Sequence, residues 1–186
     1  MIRLLTISCL TGPEDAMLLP RRIAATPEEV EEFMKDVPGA DWRRVAGFLG
    51  ILDFAAAWIG ITGDWLEEHD LSIGRFMVLM TLTVLGRDGL APSEIAERAQ
   101  VTRATVTGLI DGLEADGLVE RRPSIDDRRR ILVQLTPAGR RLMGRLLPKH
   151  MERMTRVMQA LTLEEARELR DFATRMKART EELADA

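Results

Sequence analysis

Residues 91–136, APSEIAERAQVTRATVTGLIDGLEADGLVERRPSIDDRRRILVQLT, constrain the fold more than any other part of the chain. Pro92 suits a first helical turn, Glu94 stands just behind it, and Ile95, Ala96 and Ala99 share a face, so a short helix is expected. Gln100 and Val101 interrupt it. Thr102 is then a good N-cap for a second helix running to about Asp116. Within that helix Val106, Leu109, Ile110 and Leu113 recur at spacings of three and four and form one buried stripe. Ala104, Thr107, Gly108 and Asp111 occupy the other side. Gly117 ends the helix as a left-handed residue. A short strand is expected at 118–122 and a second at 130–135, where Ile131, Val133 and Leu135 alternate onto one face; the turn between them is rich in breakers and charge.

Helix, tight turn, helix and hairpin in that order predict a winged helix-turn-helix, mainly α with a small β-hairpin wing. The second helix would enter a DNA major groove and the hairpin tip would reach the backbone or minor groove. The segments LSIGRFMVLMTL, PSEIAERA, VTRATVTGLIDGLEADGLVERR, DDRR and VQLTPAGR together resemble the MarR family of bacterial transcriptional regulators. The resemblance is continuous over residues 71–142 and is helical pattern alone on either side. Its most specific part is the ordered set GLVER, Asp-x-Arg in a hairpin, then LTPAGR. Three departures stand out: Ala91 where the family often has a capping Thr or Ser, implying a less firm helix start; Gln100 where glycine is frequent; and Ser124-Ile125 in place of a common Asp-Pro at the wing.

Net charge is −4, which by itself argues against a nucleic-acid partner. Its distribution argues the other way. Residues 119–145 hold eight arginines against Glu120, Asp126 and Asp127, a local charge of +5 that leaves −9 for the rest of a −4 chain. A local basic face is what phosphate binding needs. No uninterrupted apolar run reaches the roughly 18–20 residues of a membrane span, and residues 1–12 lack the core and flanks of a secretory signal. Ser8-Cys9 resembles a lipoprotein cleavage site with too little before it. A cytoplasmic location, away from membranes, is expected. Cys9 is the single cysteine, so no intrachain disulfide forms. Met17 is an alternative start, which would leave residues 1–16 outside the natural protein.

The remaining chain reads as helical arms. Residues 1–40 are an extension with one short helix, begun by Thr26-Pro27-Glu28-Glu29 and stopping near Val37. Residues 41–70 hold a long first helix, residues 71–136 the winged helix-turn-helix, and residues 137–186 further helices, with Pro148 expected to kink or break the first of them. Gly60 and Gly63 weaken the long helix by about 1 kcal/mol each. Thr162-Leu163-Glu164-Glu165 is a capping box for the last helix. The resemblance implies that the terminal helices interlace with those of a second subunit, giving a homodimer. Its two recognition helices would sit roughly 34–36 Å apart on a palindrome.

Candidate DNA contacts on the recognition helix are Thr102, Arg103, Thr105, Thr107 and Gly108: hydroxyls for phosphate or base edges, a guanidinium for guanine, and a glycine permitting close approach. Thr102 caps as well. In the wing, residues two apart share a face, so Asp127 can aim Arg129. The resemblance implies that this arginine enters the minor groove, with Arg128 and Arg130 turned toward the backbone. Family members often bind small aromatic or phenolic effectors. Phe54, Trp58, Trp65, Arg75 and Phe76 are candidates for such a crevice, with simple core packing as the plain alternative. The absence of tyrosine and the upstream place of Cys9 exclude the peroxide-sensing branch. His69 and His150 have no ligand-spaced partners, so neither a metal nor a cofactor is expected. No catalytic motif is present, so an enzyme is not expected. The rival reading is a winged-helix interaction protein that has lost DNA binding and contacts a protein partner.

Overall fold

The structure, a computed structural model, describes residues 27–35, 37–39, 41–86, 88–99, 101–124 and 130–184. Its elements in order are α1 (Pro27–Met34), α2 (Trp42–Glu67), α3 (Ile73–Leu85), α4 (Pro92–Ala99), α5 (Arg103–Ala115), β1 (Val119–Pro123), β2 (Ile131–Leu135), α6 (Pro137–Met158) and α7 (Leu163–Ala184). The chain divides into two compact units, residues 1–136 and 137–186.

In the first unit α3, α4, α5 and the hairpin enclose the core. Phe76, Leu79 and Leu82 of α3, Ile95 of α4, Val106, Ile110 and Leu113 of α5, Val119 of β1 and Val133 of β2 are all buried. The expected stripe of α5 is therefore the inner face, and burying each such side chain is worth about 1.5–3 kcal/mol. Helices α3 and α5 approach closely at Gly74, where a Cβ would lie 3.1 Å from Leu109 Cδ2. β1 and β2 pair antiparallel with Val119 opposite Leu135 and Pro123 opposite Ile131. Leu90 adds a third edge through a two-way backbone bridge to Val133, at 2.9 and 2.8 Å. Gly89, at φ +91°, permits this crossing, because a Cβ there would lie 3.1 Å from Leu132 Cβ.

Local signals set the helix ends. Asp41 caps α2, accepting from the N–H groups of Arg43 and Arg44 at 3.2 and 3.4 Å. Ser72 caps α3 through the N–H of Arg75 at 3.3 Å. Leu71 donates to the Leu66 carbonyl at 3.1 Å and Asp70 to Glu67 at 3.1 Å. Asp70 takes the left-handed position of that C-terminal motif, at φ 56°.

Three expectations change. The start of α4 at Ala91 is firm: the Glu94 carboxylate accepts from the Ala91 N–H at 2.6 Å, half of a capping box whose other half alanine cannot supply. Pro148 lies within α6 and does not end it. Its ring and Gly144, whose carbonyl it leaves without an intrahelical donor, are exposed, so water can serve that carbonyl. Finally, α2 is long and apolar enough to cross a membrane by length and composition, with mean hydropathy 1.8 over an 18-residue window. Counting uninterrupted runs missed this because Asp53 and Asp64 break the runs without lowering the average much. Only 11% of that window is buried within this chain.

In the second unit Gly139, Met143, Leu146 and His150 are the buried residues of α6. Thr162 and Glu165 form the expected capping box of α7: the Thr162 N–H donates to the Glu165 carboxylate at 2.7 Å and the Glu165 N–H donates to Thr162 Oγ1 at 3.2 Å. These bonds favour the charged carboxylate and hold Glu165 below its ordinary pKa.

Candidate nucleic-acid interface

Thr102 starts α5 in extended backbone and its Oγ1 accepts from the Thr105 N–H at 3.1 Å. The two hydroxyls also lie 2.9 Å apart. Thr107 donates to the Arg103 carbonyl at 2.9 Å, leaving its oxygen lone pairs outward. Thr102, Arg103, Ala104, Thr107 and Gly108 are exposed and Thr105 is half-buried. Among the described residues nothing outside the backbone of α5 itself lies within 4 Å of a Cβ built on Gly108, so their packing does not require glycine there. The first two turns of α5 thus offer small hydroxyls, one guanidinium and the positive end of the helix dipole, a surface suited to an anionic groove.

The far end of α5 is tied down. Gly117, at φ +69°, donates to Glu114 O at 2.9 Å while Leu118 donates to Leu113 O at 2.9 Å, so the chain reverses directly into β1. Arg121 on β1 then reaches back to α5. Its Nη2 donates to Asp111 Oδ1 at 2.6 Å, its Nη1 donates to Glu114 Oε2, and its backbone N–H donates to Glu114 Oε1 at 3.1 Å. Partial burial lowers the pKa of this guanidinium, but the hydrogen bonds and charges of the two carboxylates outweigh it and hold the pKa above its ordinary value. On another flank Arg75 of α3 pairs with Asp116 at 2.8 Å. These partners were missed in the sequence. The available signal was an acidic pair three residues apart on α5 followed by an arginine in the next strand.

The hairpin closes where Ser124, 8% exposed, donates its backbone N–H to Arg130 O at 2.8 Å. Asp127, Arg128 and Arg129 lie outside the described residues, between these two closing positions. Arg130 is exposed and pairs with Glu94 at 3.4 Å, so one carboxylate holds both the α4 start and the base of the wing. Arg122 is exposed beside Glu120 at 2.8 Å.

The effector candidates are not all on one surface. Phe76 is 2% exposed and sits in the core, its ring edge-to-face with Trp65 at 6.3 Å. Trp65 also meets His69 edge-to-face at 5.3 Å. Trp58 is half-buried, Phe54 is 52% exposed, and Arg75 is committed to Asp116. Among the described residues no group of three His, Cys, Asp or Glu is placed to hold a metal. Cys9 lies outside them.

Comparison with known proteins fits this geometry. Residues 69–130 match the MarR family. The chain is 36% identical over 118 residues to the HTH-type transcriptional repressor YetL of Bacillus subtilis, covering 63% of this chain and 71% of that protein. The chain belongs to the MarR family. It is also 30% identical over 118 residues to the transcriptional repressor MprA of Escherichia coli K12, covering 63% of this chain and 67% of that one. The S. aureus MepR–DNA complex superposes with a TM-score of 0.63 at 25% identity, over 68% of this chain and 92% of MepR. The regulator SlyA, at 23% identity, shares the fold with a TM-score of 0.61 over 77% of this chain and 96% of SlyA. As a MarR-family winged helix-turn-helix protein, this chain is a DNA-binding transcriptional regulator.

Proposed function

We propose that this MarR-family regulator is a cytoplasmic homodimeric repressor that binds a palindromic operator and leaves it when a small aromatic or phenolic ligand binds. The observation that carries the dimer is α2: 26 residues, span-level hydropathy, and 11% of its apolar window buried in one protomer. Phe48, Ile51, Phe54 and Ile61 are between 41% and 52% exposed on it, and α7 exposes Phe172, Met176 and Leu183. A soluble regulator rarely leaves such apolar surface to water, and a second copy of the chain would cover it. Repression is supported by the relatives named as repressors.

In this reading Thr102, Arg103, Thr105, Thr107 and Gly108 meet the major groove. Arg129, aimed by Asp127, enters the minor groove, and Arg128 and Arg130 meet phosphates, Arg130 exchanging Glu94 for the DNA. Trp58 and Trp65, with Phe54, supply the effector crevice, and Arg75 joins them by exchanging Asp116 for an anionic ligand. A ligand acts by binding the DNA-incompetent spacing of the two lobes more tightly.

The experiment is light scattering of the free protein followed by titration of a palindromic operator with wild type and Arg129→Ala. A dimer binding one operator, with affinity reduced tenfold or more in the variant, is expected, since a charged DNA contact is worth about 1–3 kcal/mol. A monomer, or an unchanged affinity, would remove the dimer or the wing from the account.

A further inference from the structure

We infer that Arg121 is a positioning residue for DNA recognition: it locks the wing to the recognition helix and does not itself contact DNA. The inference rests on the reading of α5 and the wing as the DNA-contacting elements. Arg121 is held through both its backbone and its side chain. The backbone N–H and the guanidinium are bound to the same Glu114 carboxylate, and a second carboxylate, Asp111, takes the other guanidinium nitrogen. Its side chain is 28% exposed, against 62% for Arg122, which pairs with Glu120. Two of its five guanidinium N–H donors are spent on carboxylates, and the two negative charges offset its positive one, which weakens its pull on phosphate.

Fixing Arg121 fixes the hairpin. Arg121 stands opposite Val133 in the β1–β2 register, and Val133 is the residue bridged to Leu90. One rung of the wing is therefore anchored to α5 on one side and to the segment preceding α4 on the other. From this rung to the closing Ser124–Arg130 contact is three residues, roughly 10 Å of strand at about 3.3 Å each, so a tilt of about 10° at Arg121 displaces that end of the hairpin by about 2 Å. A displacement of that size would move an arginine out of a minor groove while α5 stays in place.

The lock also has an electrostatic sense. Asp111 is 59% exposed on α5, the helix proposed to enter the groove. Simple charge counting predicts that neutralising Asp111 and Glu114 strengthens DNA binding. If their role is to hold Arg121, neutralising them weakens it.

The test uses the full-length protein in three forms: Arg121→Gln, the pair Asp111→Asn with Glu114→Gln, and the triple combination. Each is titrated against operator and random DNA at two salt concentrations. Hydrogen exchange of the β1 and β2 amides is followed without DNA. We expect both partial variants to lose operator affinity about fivefold or more, with the triple no weaker than the worse of them, because the residues act as one unit. The salt slope of Arg121→Gln stays that of wild type, and wing amides exchange faster in all three variants.

A salt slope lower by about one, with operator and random DNA weakened alike, would make Arg121 a phosphate contact and overturn the inference. Tighter binding by the carboxylate pair variant, or unchanged wing exchange, would overturn it as well. Should Arg121→Gln fail to fold, the near-isosteric carboxylate pair variant still decides. Should the wild type show no selective DNA binding, the DNA-contact reading fails, and wing exchange alone decides whether the lock exists.

Discussion

The guanidinium of Arg75 lies across α5 at Gly112, where a Cβ would overlap its Nη2 and stand 3.1 Å from Cζ. Glycine at this position lets an arginine from α3 cross the recognition helix and pair with Asp116 at its C-terminal cap, at 2.8 Å. The positive charge also complements the negative end of the helix dipole.

Gly112→Ala opposes two effects of similar size. Helix propensity gains about 1 kcal/mol, while the displaced guanidinium forfeits a part-exposed ion pair worth about 1 kcal/mol or less. The variant should keep its stability within about 1 kcal/mol. Its ion pair should be gone, so Asp116→Asn should cost nothing in the Gly112→Ala background but cost something in wild type. Urea denaturation of the four proteins in this cycle checks it.

Thr102→Ala removes the α5 cap, in which Oγ1 accepts from Thr105 N–H at 3.1 Å. Stability should fall by about 1 kcal/mol. Thr102→Asp keeps a cap and should retain that stability, yet it sets a carboxylate at the proposed groove and should bind operator more weakly. Thermal melts and operator titration of both variants separate capping from contact.

Asp70 holds a left-handed backbone at φ 56°, a conformation that disfavours side chains. Asp70→Gly should leave the α2–α3 turn unchanged and stabilise the protein by up to about 1 kcal/mol. A loss of stability would mean that the Asp70 side chain does more for the turn than its backbone costs.

His150, 5% exposed in α6, has a lowered pKa, first through burial and then through the positive charge of Arg153. The folded protein therefore binds this proton less readily than the unfolded chain. The stability associated with neutral His150 is complete above the unfolded value near 6.5 and is lost as pH falls through it toward the lower folded pKa. Denaturation at pH 7.5 and 5.5 should show a smaller loss for His150→Leu than for wild type.

Much of this architecture was legible because it is written locally. Thr102 caps, Gly117 turns and the Val106–Ile110–Leu113 stripe each depend on a few neighbouring residues, and each lies where its chemistry demands. What escaped was side-chain partnership across the fold. Arg121 meets Asp111 only after Gly117 has folded β1 back, and nothing local distinguishes it from Arg122. Arg130 was read as a backbone contact and is found on Glu94, the same carboxylate that replaces the capping residue missing at Ala91. Pro148 was expected to kink or break α6; it does not end the helix, and the carbonyl it leaves without a donor belongs to an exposed residue that water reaches. Phe76 lies in the core, where aromatic residues on an apolar helix face ordinarily belong.

The central claim is that α5 and the wing read a specific DNA sequence through a locally basic face on an acidic protein. The most direct test is an anisotropy titration of the full chain against its own upstream intergenic DNA and against random DNA of equal length, at two salt concentrations. The account predicts tight binding to the upstream DNA, far weaker binding to random DNA, and a steep loss of affinity with salt as phosphate contacts are screened. Weak binding, equal on both DNAs, would contradict it.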